Sequence, residues 1–211
     1  MRIMFIRMDN KGPISREAAT AARKEQITRT AIALLAERGY QATTFEAICT
    51  RAGLSSKRLI TYHFSSKDEL FAAVAEQIVA DSEQYMRAAL DGVTGPRALL
   101  AAVIRANVRF IAEHPREVAA LRQILINGGL PDYERHDVSS RERLARLLRE
   151  GRRTGEFRPF DERVMAAALR ASIDAVAPLI AAGVDPELCA EELVEHFDRS
   201  TRDVPRGKEM R

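Results

Sequence analysis

A short stretch of polar side chains between Thr43 and Lys67 carries most of the chemistry that this sequence offers. Its members are hydroxyls, cations and one imidazole, groups that donate hydrogen bonds to phosphate oxygens and to the edges of bases: Thr43, Thr44, Ser55, Ser56, Lys57, Arg58, Thr61, Tyr62, His63 and Lys67. Apolar side chains alternate with the later ones at helical spacing, and we expect these to pack inward: Leu54, Leu59, Ile60 and Phe64. The pattern predicts a helix that presents one polar face to a nucleic acid.

The charge of the chain is concentrated in the same region. The net charge of the 211 residues is only +3, but residues 1–70 contain 12 Lys and Arg against 7 Asp and Glu. The remaining residues contain 21 basic side chains against 23 acidic ones. A basic N-terminal third on a slightly acidic body indicates a polyanionic partner, although an ordinary solvated surface would give the same excess.

Helices must position these side chains, because apolar residues recur at spacings of three and four throughout the chain. A first helix is predicted from Ser15 to Arg38, ending at Gly39, a natural residue after a helix C-terminus. Thr43 and Glu46 form a capping box that starts a second helix. Capping alone explains both of these residues, so a contact of Thr43 with DNA would be a second role.

The second helix is followed by Gly53, whose missing Cβ permits a sharp turn. A third helix is predicted from Ser55, its N-cap, to Phe64. Two short helices joined by a tight turn, both packed on a preceding helix, form a helix-turn-helix, whose second helix fits a DNA major groove. Lys67, at the start of the next helix, opposes the helix dipole, and a phosphate bound at that N-terminus would relieve the repulsion.

Residues 24–70 contain a combination of motifs with specific spacing: Ala31, Leu34-Leu35, Glu37-Arg38-Gly39-Tyr40, Thr43-Thr44, Ile48, Ala52-Gly53-Leu54-Ser55, Tyr62-His63-Phe64 and Ser66-Lys67-Asp68-Glu69-Leu70. In these residues the chain resembles the TetR family of bacterial transcriptional regulators. The resemblance implies a dimeric, all-helical repressor with an N-terminal DNA-binding domain of three helices. It also implies a larger C-terminal domain that binds a small effector and dimerises through its last two long helices, here about 162–181 and 186–202.

The interval between Gly53 and Leu59 is one residue longer than the family's usual spacing. The phosphate-binding tyrosine of the family therefore falls on Ile60 or on Thr61, depending on where the extra residue is absorbed. Tyr62 and His63 are the candidates to bind a phosphate in its place. Alternatively, these two side chains only complete the hydrophobic core of the small domain.

The whole chain is predicted to be all-α, with about nine helices: the helix-turn-helix domain followed by a larger helical domain for effector binding and dimerisation. We predict a flexible extension at 1–14, the DNA-binding domain at 15–75, the effector-binding domain at 76–203 and a disordered tail at 204–211. The boundary is placed inside the fourth helix, where short basic elements give way to long ones.

Four residues on the predicted central helices are candidates to contact a small-molecule effector: Asn107, Phe110, Arg122 and Asp174. Asp174 has the apolar neighbours Ile173 and Val176, which suggest burial, and a buried carboxylate needs a partner. Arg170 or Arg122 would supply that partner in a purely structural role.

No enzyme chemistry is predicted. The four histidines lack the spacing of a metal-ligand pair, and the chain has no glycine-rich phosphate loop and no Gly-x-Ser-x-Gly elbow. We expect no cofactor and no metal. We also expect no membrane partner, because the longest uncharged apolar stretches are too short to span a bilayer. Two distant cysteines and the lack of a signal peptide predict a cytoplasmic protein. The rival interpretation is an all-helical enzyme or small-molecule binding module with an incidental basic N-terminus.

Overall fold

The computed structural model describes residues 15–127 and 131–202, and within them the chain is helical without strands. The helices run as follows: α1 Arg16–Ala42, α2 Phe45–Arg51, α3 Arg58–Thr61, α4 Lys67–Leu90, α5 Pro96–Glu113, α6 Pro115–Asn127, α7 Pro131–Arg153, α8 Glu162–Ala181 and α9 Pro186–Thr201. This confirms the all-α prediction with nine helices in the described residues. The predicted extension at 1–14, the glycine pair 128–129 and the tail at 204–211 lie outside them.

Side-chain caps fix the starts of α1 and α4. The Ser15 hydroxyl accepts a hydrogen bond from the backbone N–H of Ala18 (3.1 Å), so α1 begins there as predicted. Ser66 caps α4 by accepting from the N–H of Glu69 (3.1 Å). The Glu69 carboxylate accepts from the N–H of Ser65 (2.7 Å). In the usual capping box the carboxylate accepts from the N–H of the N-cap residue itself. Here Glu69 accepts from Ser65, the residue before the N-cap.

The first core lies among α1 to α4 and is completed by α6. Fully buried side chains from α1, α2, α3 and α4 meet in it, among them Leu34, Ile48, Ile60 and Leu70. Ala120 and Ile124 of α6 belong to the same cluster. Because α6 is remote in sequence from the helix-turn-helix, its contribution joins the N-terminal region to the rest of the chain.

The second core lies among α5, α7, α8 and α9. It contains buried side chains such as Leu100, Leu148, Leu169 and Phe197. α4 reaches both cores, because Leu70 to Ile78 pack in the first and Met86 and Leu90 pack against the second. The division into 15–75 and 76–203 therefore stays a prediction that falls within a continuous helix.

Candidate functional site

The helix-turn-helix is formed by α2, a turn at Gly53 and α3. Gly53 has a φ of +63°, a left-handed conformation that favours glycine. α3 is shorter than the predicted helix, and Ser55 is not its N-cap. The cap position is Lys57, and the Ser56 hydroxyl accepts from the N–H of Arg58 (3.1 Å). The chain then continues through a further turn, in which the N–H of Phe64 donates to the carbonyl of Ile60 (2.9 Å).

The inward face of this segment holds the polar face in place. Leu54, Ile60 and Phe64 are buried, as predicted. Leu59 was predicted to pack inward as well, but it is 37% exposed. The prediction fails because α3 is only four residues long, and its single turn buries Ile60 rather than both apolar neighbours.

The start of α2 differs from the prediction by one residue. Thr44, not Thr43, is the N-cap, and its hydroxyl accepts from the N–H of Ala47 (3.2 Å). The side chain of Thr43 is fully buried and donates to the carbonyl of Gly39 (2.8 Å). The proposed DNA contact of Thr43 is thus wrong, because a buried hydroxyl with an internal partner does not reach a bound duplex. Thr44 remains exposed.

The outward face brings together most of the predicted DNA-contacting residues. Six of them are exposed on one short segment: Ser55, Ser56, Lys57, Arg58, Thr61 and Tyr62. Lys57 forms an ion pair with Glu46 at the start of α2. Arg58 makes no ion pair with any residue that the structure describes. Its five N–H donors are therefore available for a phosphate or a guanine edge.

Glu46 is an acidic group on this otherwise basic and polar face. The hydrogen bond from Lys57 lowers the pKa of the Glu46 carboxyl, with backbone hydrogen bonding at the helix start acting in the same direction. The carboxylate stays charged at neutral pH, and it holds Lys57 on the protein. Sequence reasoning treated Glu46 as a cap only, since residues 46 and 57 are brought together by the turn rather than by helical spacing.

Tyr62 and His63 differ in how far they reach the surface. Ile60, one position for the family's phosphate-binding tyrosine, is fully buried, whereas Tyr62 is 78% exposed. His63 is half-buried with its ring against that of Tyr62, the ring centroids 5.1 Å apart. Burial lowers the pKa of His63, and the charges of Lys24 and Arg23 lower it further. Tyr62 is thus the aromatic side chain that stands on the outward face.

Lys67 is bound inside the domain. Its ammonium donates to the carbonyl of Tyr40 (2.7 Å) and lies 4.4 Å from the centre of the Tyr40 ring and 5.1 Å from that of Phe71. Burial lowers the pKa of Lys67. Contrary to the prediction, the Lys67 ammonium therefore does not stand free for a phosphate. The Tyr40 carbonyl and the two aromatic rings stabilise its charge instead.

A second candidate site is a cavity of about 560 Å³ bordered by α4, α5, α6, α7 and α8. All four predicted effector-contacting residues line it, namely Asn107, Phe110, Arg122 and Asp174. Its described polar lining consists of Ser82, Asn107, Arg122, Ser140, Arg170 and Asp174, and the other described lining residues are apolar. Such a volume and lining are typical of small-molecule sites.

Asp174 differs from its prediction. Its side chain is 55% exposed rather than buried, and it forms an ion pair with Arg170, whose Nε lies 3.0 Å from Oδ2. The apolar neighbours Ile173 and Val176 point into the core from the opposite face of α8. Arg170 was named only as a structural partner of Asp174, and the structure adds it to the cavity lining. Ser82 and Ser140 were missed, because a single serine on a long helix gives no signal in the sequence.

α8 is long and apolar enough to cross a membrane by length and composition, with a mean hydropathy of 1.6 over its most apolar window. Leu169 and Ile173 on one of its faces lie in the second core, but only 22% of that window is buried. The described residues hold no group of three or more side chains that could bind a metal ion.

Comparison with known proteins agrees with this geometry. The family profile described as bacterial regulatory proteins, tetR family, matches residues 27–74, which include α2, α3 and the start of α4. The transcriptional activator FasR of Mycolicibacterium smegmatis is 38% identical over 92 residues, which cover 44% of this chain and 41% of FasR. The chain thus spans less than half the length of that relative.

Two further similarities extend over more of the chain. The transcriptional repressor KstR2 of Mycolicibacterium smegmatis is 27% identical over 147 residues, 66% of this chain and 69% of KstR2. The structure of a transcriptional regulator from Saccharomonospora viridis, solved in complex with choline, has the same fold at a TM-score of 0.77 and 21% identity. That match covers 87% of this chain and 100% of the solved one. The matched profile and the geometry lead to one conclusion: residues 27–74 form a helix-turn-helix region similar to that of the bacterial regulatory proteins of the tetR family, on a chain that shares the fold of such regulators.

Proposed function

We propose that this protein is a ligand-responsive transcriptional regulator that represses its target genes from a palindromic operator and is released by a small-molecule effector. It acts in the cytoplasm, where the operator DNA lies. The observation that carries the proposal is the outward face of residues 55–62, where hydroxyls, two cations and Tyr62 are exposed on a segment whose other face is anchored in a core.

This face has the groups that DNA recognition uses. Arg58 suits bidentate bonds to a guanine edge, whereas Ser55, Ser56 and the Tyr62 hydroxyl suit phosphate oxygens. Thr44, at the N-terminus of α2, adds a hydroxyl beside a helix end, a favourable place for a phosphate. Glu46 holds Lys57 on the protein, so Lys57 would bind a phosphate only when that carboxylate releases it.

A homodimer would place two such faces on one DNA duplex. Large apolar side chains are exposed on or beside α8 and α9, notably Val164 (69%), Leu179 (49%) and Leu188 (53%). Large apolar side chains exposed on two neighbouring helices favour association with a second copy. Two α3 helices would then bind half-sites about 34 to 36 Å apart or a multiple of this distance.

The cavity supplies the effector site of the proposal. It is bordered by α4 and α6, and both of these helices also contribute side chains to the core of the DNA-binding region. A ligand that prefers one arrangement of α4 would pivot the N-terminal region and change the spacing of the two α3 helices. Such coupling typically amounts to about 1 to 3 kcal/mol, so release would be graded.

Repression is the activity named for KstR2, whereas FasR is named an activator. A reporter gene behind the upstream region of this protein's own gene tests the choice. Loss of the regulator should raise expression of a repressed reporter and lower that of an activated one.

The alternative of an all-helical enzyme predicts a set of reactive polar groups in the helical bundle. The only acid in the described cavity lining is Asp174, and its carboxylate is bound by Arg170. No observation favours that alternative.

A gel-shift titration with the DNA upstream of the gene, at several salt concentrations, tests DNA binding. The variant Lys57→Ala/Arg58→Ala should weaken binding and reduce the slope of log affinity against log salt by about 0.9 for each phosphate that the variant no longer neutralises. Arg29→Ala is the matched control, since Arg29 pairs with Glu25 on α1. A chain without sequence preference, or a double variant with unchanged affinity, would contradict the proposal.

A further inference from the structure

The cavity allows a more specific inference about the effector, which rests on the proposed function. Its described walls are mainly aliphatic, with Val79, Val118, Leu121 and Leu125 among them. A largely apolar wall binds an apolar body, because burial removes that surface from water. The few polar groups must then decide which polar end the ligand has.

Charged groups in the described lining are limited to three side chains. Arg170 and Asp174 neutralise one another in a two-bond ion pair. Arg122 is the third, and it makes no ion pair or hydrogen bond with any residue that the structure describes. Arg122 lines the cavity and is also exposed to solvent, as expected of a residue at the mouth.

A cationic ligand fits this cavity poorly. Recognition of a quaternary ammonium uses several open aromatic faces, as well as negative charge. Here Phe110 is the only aromatic residue in the described lining, and the His114 ring stacks on it with the centroids 4.4 Å apart. The described lining residues have a net positive charge. The choline held by the structural relative therefore does not suggest choline for this chain.

We propose that the cavity binds a small molecule with an apolar body and a single carboxylate, and that Arg122 binds the carboxylate at the mouth. The planar fork of a guanidinium matches the two oxygens of a carboxylate, which gives this head group its geometric advantage. The apolar body lies against α4, α5 and α6, with its polar end toward solvent.

Isothermal titration of the full-length protein with four probes tests the inference without DNA. Decanoate has the apolar body and the carboxylate, 1-decanol has the body without charge, decyltrimethylammonium has the opposite charge, and acetate has the carboxylate without the body. Decanoate should bind most tightly, and acetate should show no binding. Decanoate and decyltrimethylammonium are used below their micellar concentrations, and 1-decanol is used below its solubility limit.

Two variants locate the binding. Arg122→Gln should lower the affinity for decanoate by about tenfold and leave the affinity for 1-decanol unchanged, because only the charge-assisted hydrogen bonds are lost. Arg116→Gln, on the same helix but outside the cavity lining, is the matched control and should leave both affinities unchanged. Val118→Phe fills part of the apolar cavity and should weaken decanoate and 1-decanol alike. Circular dichroism melting verifies that each variant is folded.

The inference is overturned if 1-decanol or decyltrimethylammonium binds as tightly as decanoate, if no decyl probe binds, or if Arg122→Gln leaves decanoate affinity unchanged. None of these results would bear on DNA binding as measured by the gel shift. Conversely, loss of the gel shift would refute the proposed function while the titrations still report on the cavity.

Discussion

The side-chain Oε1 of Gln123 accepts a hydrogen bond from the backbone N–H of Tyr40 at 3.4 Å. Gln123 lies on α6, and Tyr40 directly follows Gly39, where the helical conformation of α1 is interrupted at a φ of +78°. Leu121 and Arg122, the residues before Gln123, line the cavity. The end of α1 is thus bonded to a helix that also borders the proposed effector site.

Gln123→Ala should lower the free energy of unfolding by about 0.5 to 1.5 kcal/mol, because the half-buried Tyr40 N–H loses its acceptor. Urea unfolding followed by circular dichroism measures the change. Asn127→Ala is the control, since Asn127 donates within α6 to the carbonyl of Gln123 and is exposed. Equal effects of the two substitutions would show that the bond between the helices adds nothing.

Glu46→Gln should strengthen DNA binding. The substitution removes a negative charge from the outward face and releases Lys57 for a phosphate. We expect a severalfold rise in affinity at low salt and a salt dependence steeper by about 0.9, the contribution of one further neutralised phosphate. Fluorescence anisotropy with labelled operator DNA measures both. An unchanged salt slope would mean that Lys57 does not reach the DNA.

The adjacent threonines should respond differently to substitution. Thr43→Val removes a buried hydroxyl and leaves the Gly39 carbonyl without its donor, so it should destabilise the protein by about 1 to 3 kcal/mol. Thr44→Ala removes an N-cap, which costs about 0.5 to 2 kcal/mol, and it should also weaken DNA binding. Urea unfolding and anisotropy of the folded variants separate the effects. Weakened DNA binding by folded Thr43→Val would contradict the assignment of a purely structural role.

Protonation of His63 should lower the stability of the protein in mildly acidic solution. Its pKa is lowered from the ordinary value of 6.5 by burial first and by Lys24 and Arg23 after that. The unfolded chain then binds more protons than the folded one just below pH 6.5, so the free energy of unfolding decreases as the pH falls from there to the lowered pKa. His63→Gln should flatten this part of the pH profile. An unaltered profile would show that His63 titrates alike in both states.

Gly151→Ala should destabilise the second core. A Cβ at this position would lie 2.1 Å from the Phe157 ring, and Phe157 is 3% exposed, so the ring must shift within a packed environment. Overpacking of this kind costs about 1 to 3 kcal/mol. Thermal unfolding measures it, with Glu150→Ala at the neighbouring exposed position as the control. A melting temperature equal to that of the control would contradict the tight packing of Phe157 on Gly151.

Local signals made most of the fold predictable. The helix expected at about 162–181 corresponds to α8, Glu162–Ala181, with Asp161 as its N-cap, because a helix cap and an apolar stripe act within a few residues. Gly39, the predicted end of the first helix, interrupts the helical conformation of α1, although the helix continues beyond it to Ala42. The limits of the short helices were predicted less accurately. For α2, the neighbouring Thr43 and Thr44 are equivalent N-cap candidates in the sequence. The carbonyl of Gly39, supplied by the folded chain, decides between them.

By itself, the sequence determined the all-helical class, the position of the helix-turn-helix and the residue types on its outward face, because these depend on periodicity, capping and turns. Only the tertiary structure decided that Lys67 is bound by Tyr40, that Lys57 is paired with Glu46 and that Asn107, Phe110, Arg122 and Asp174 line one cavity. Periodicity shows which face of a helix is buried. It does not show which helices meet, since those contacts join residues that lie far apart along the chain.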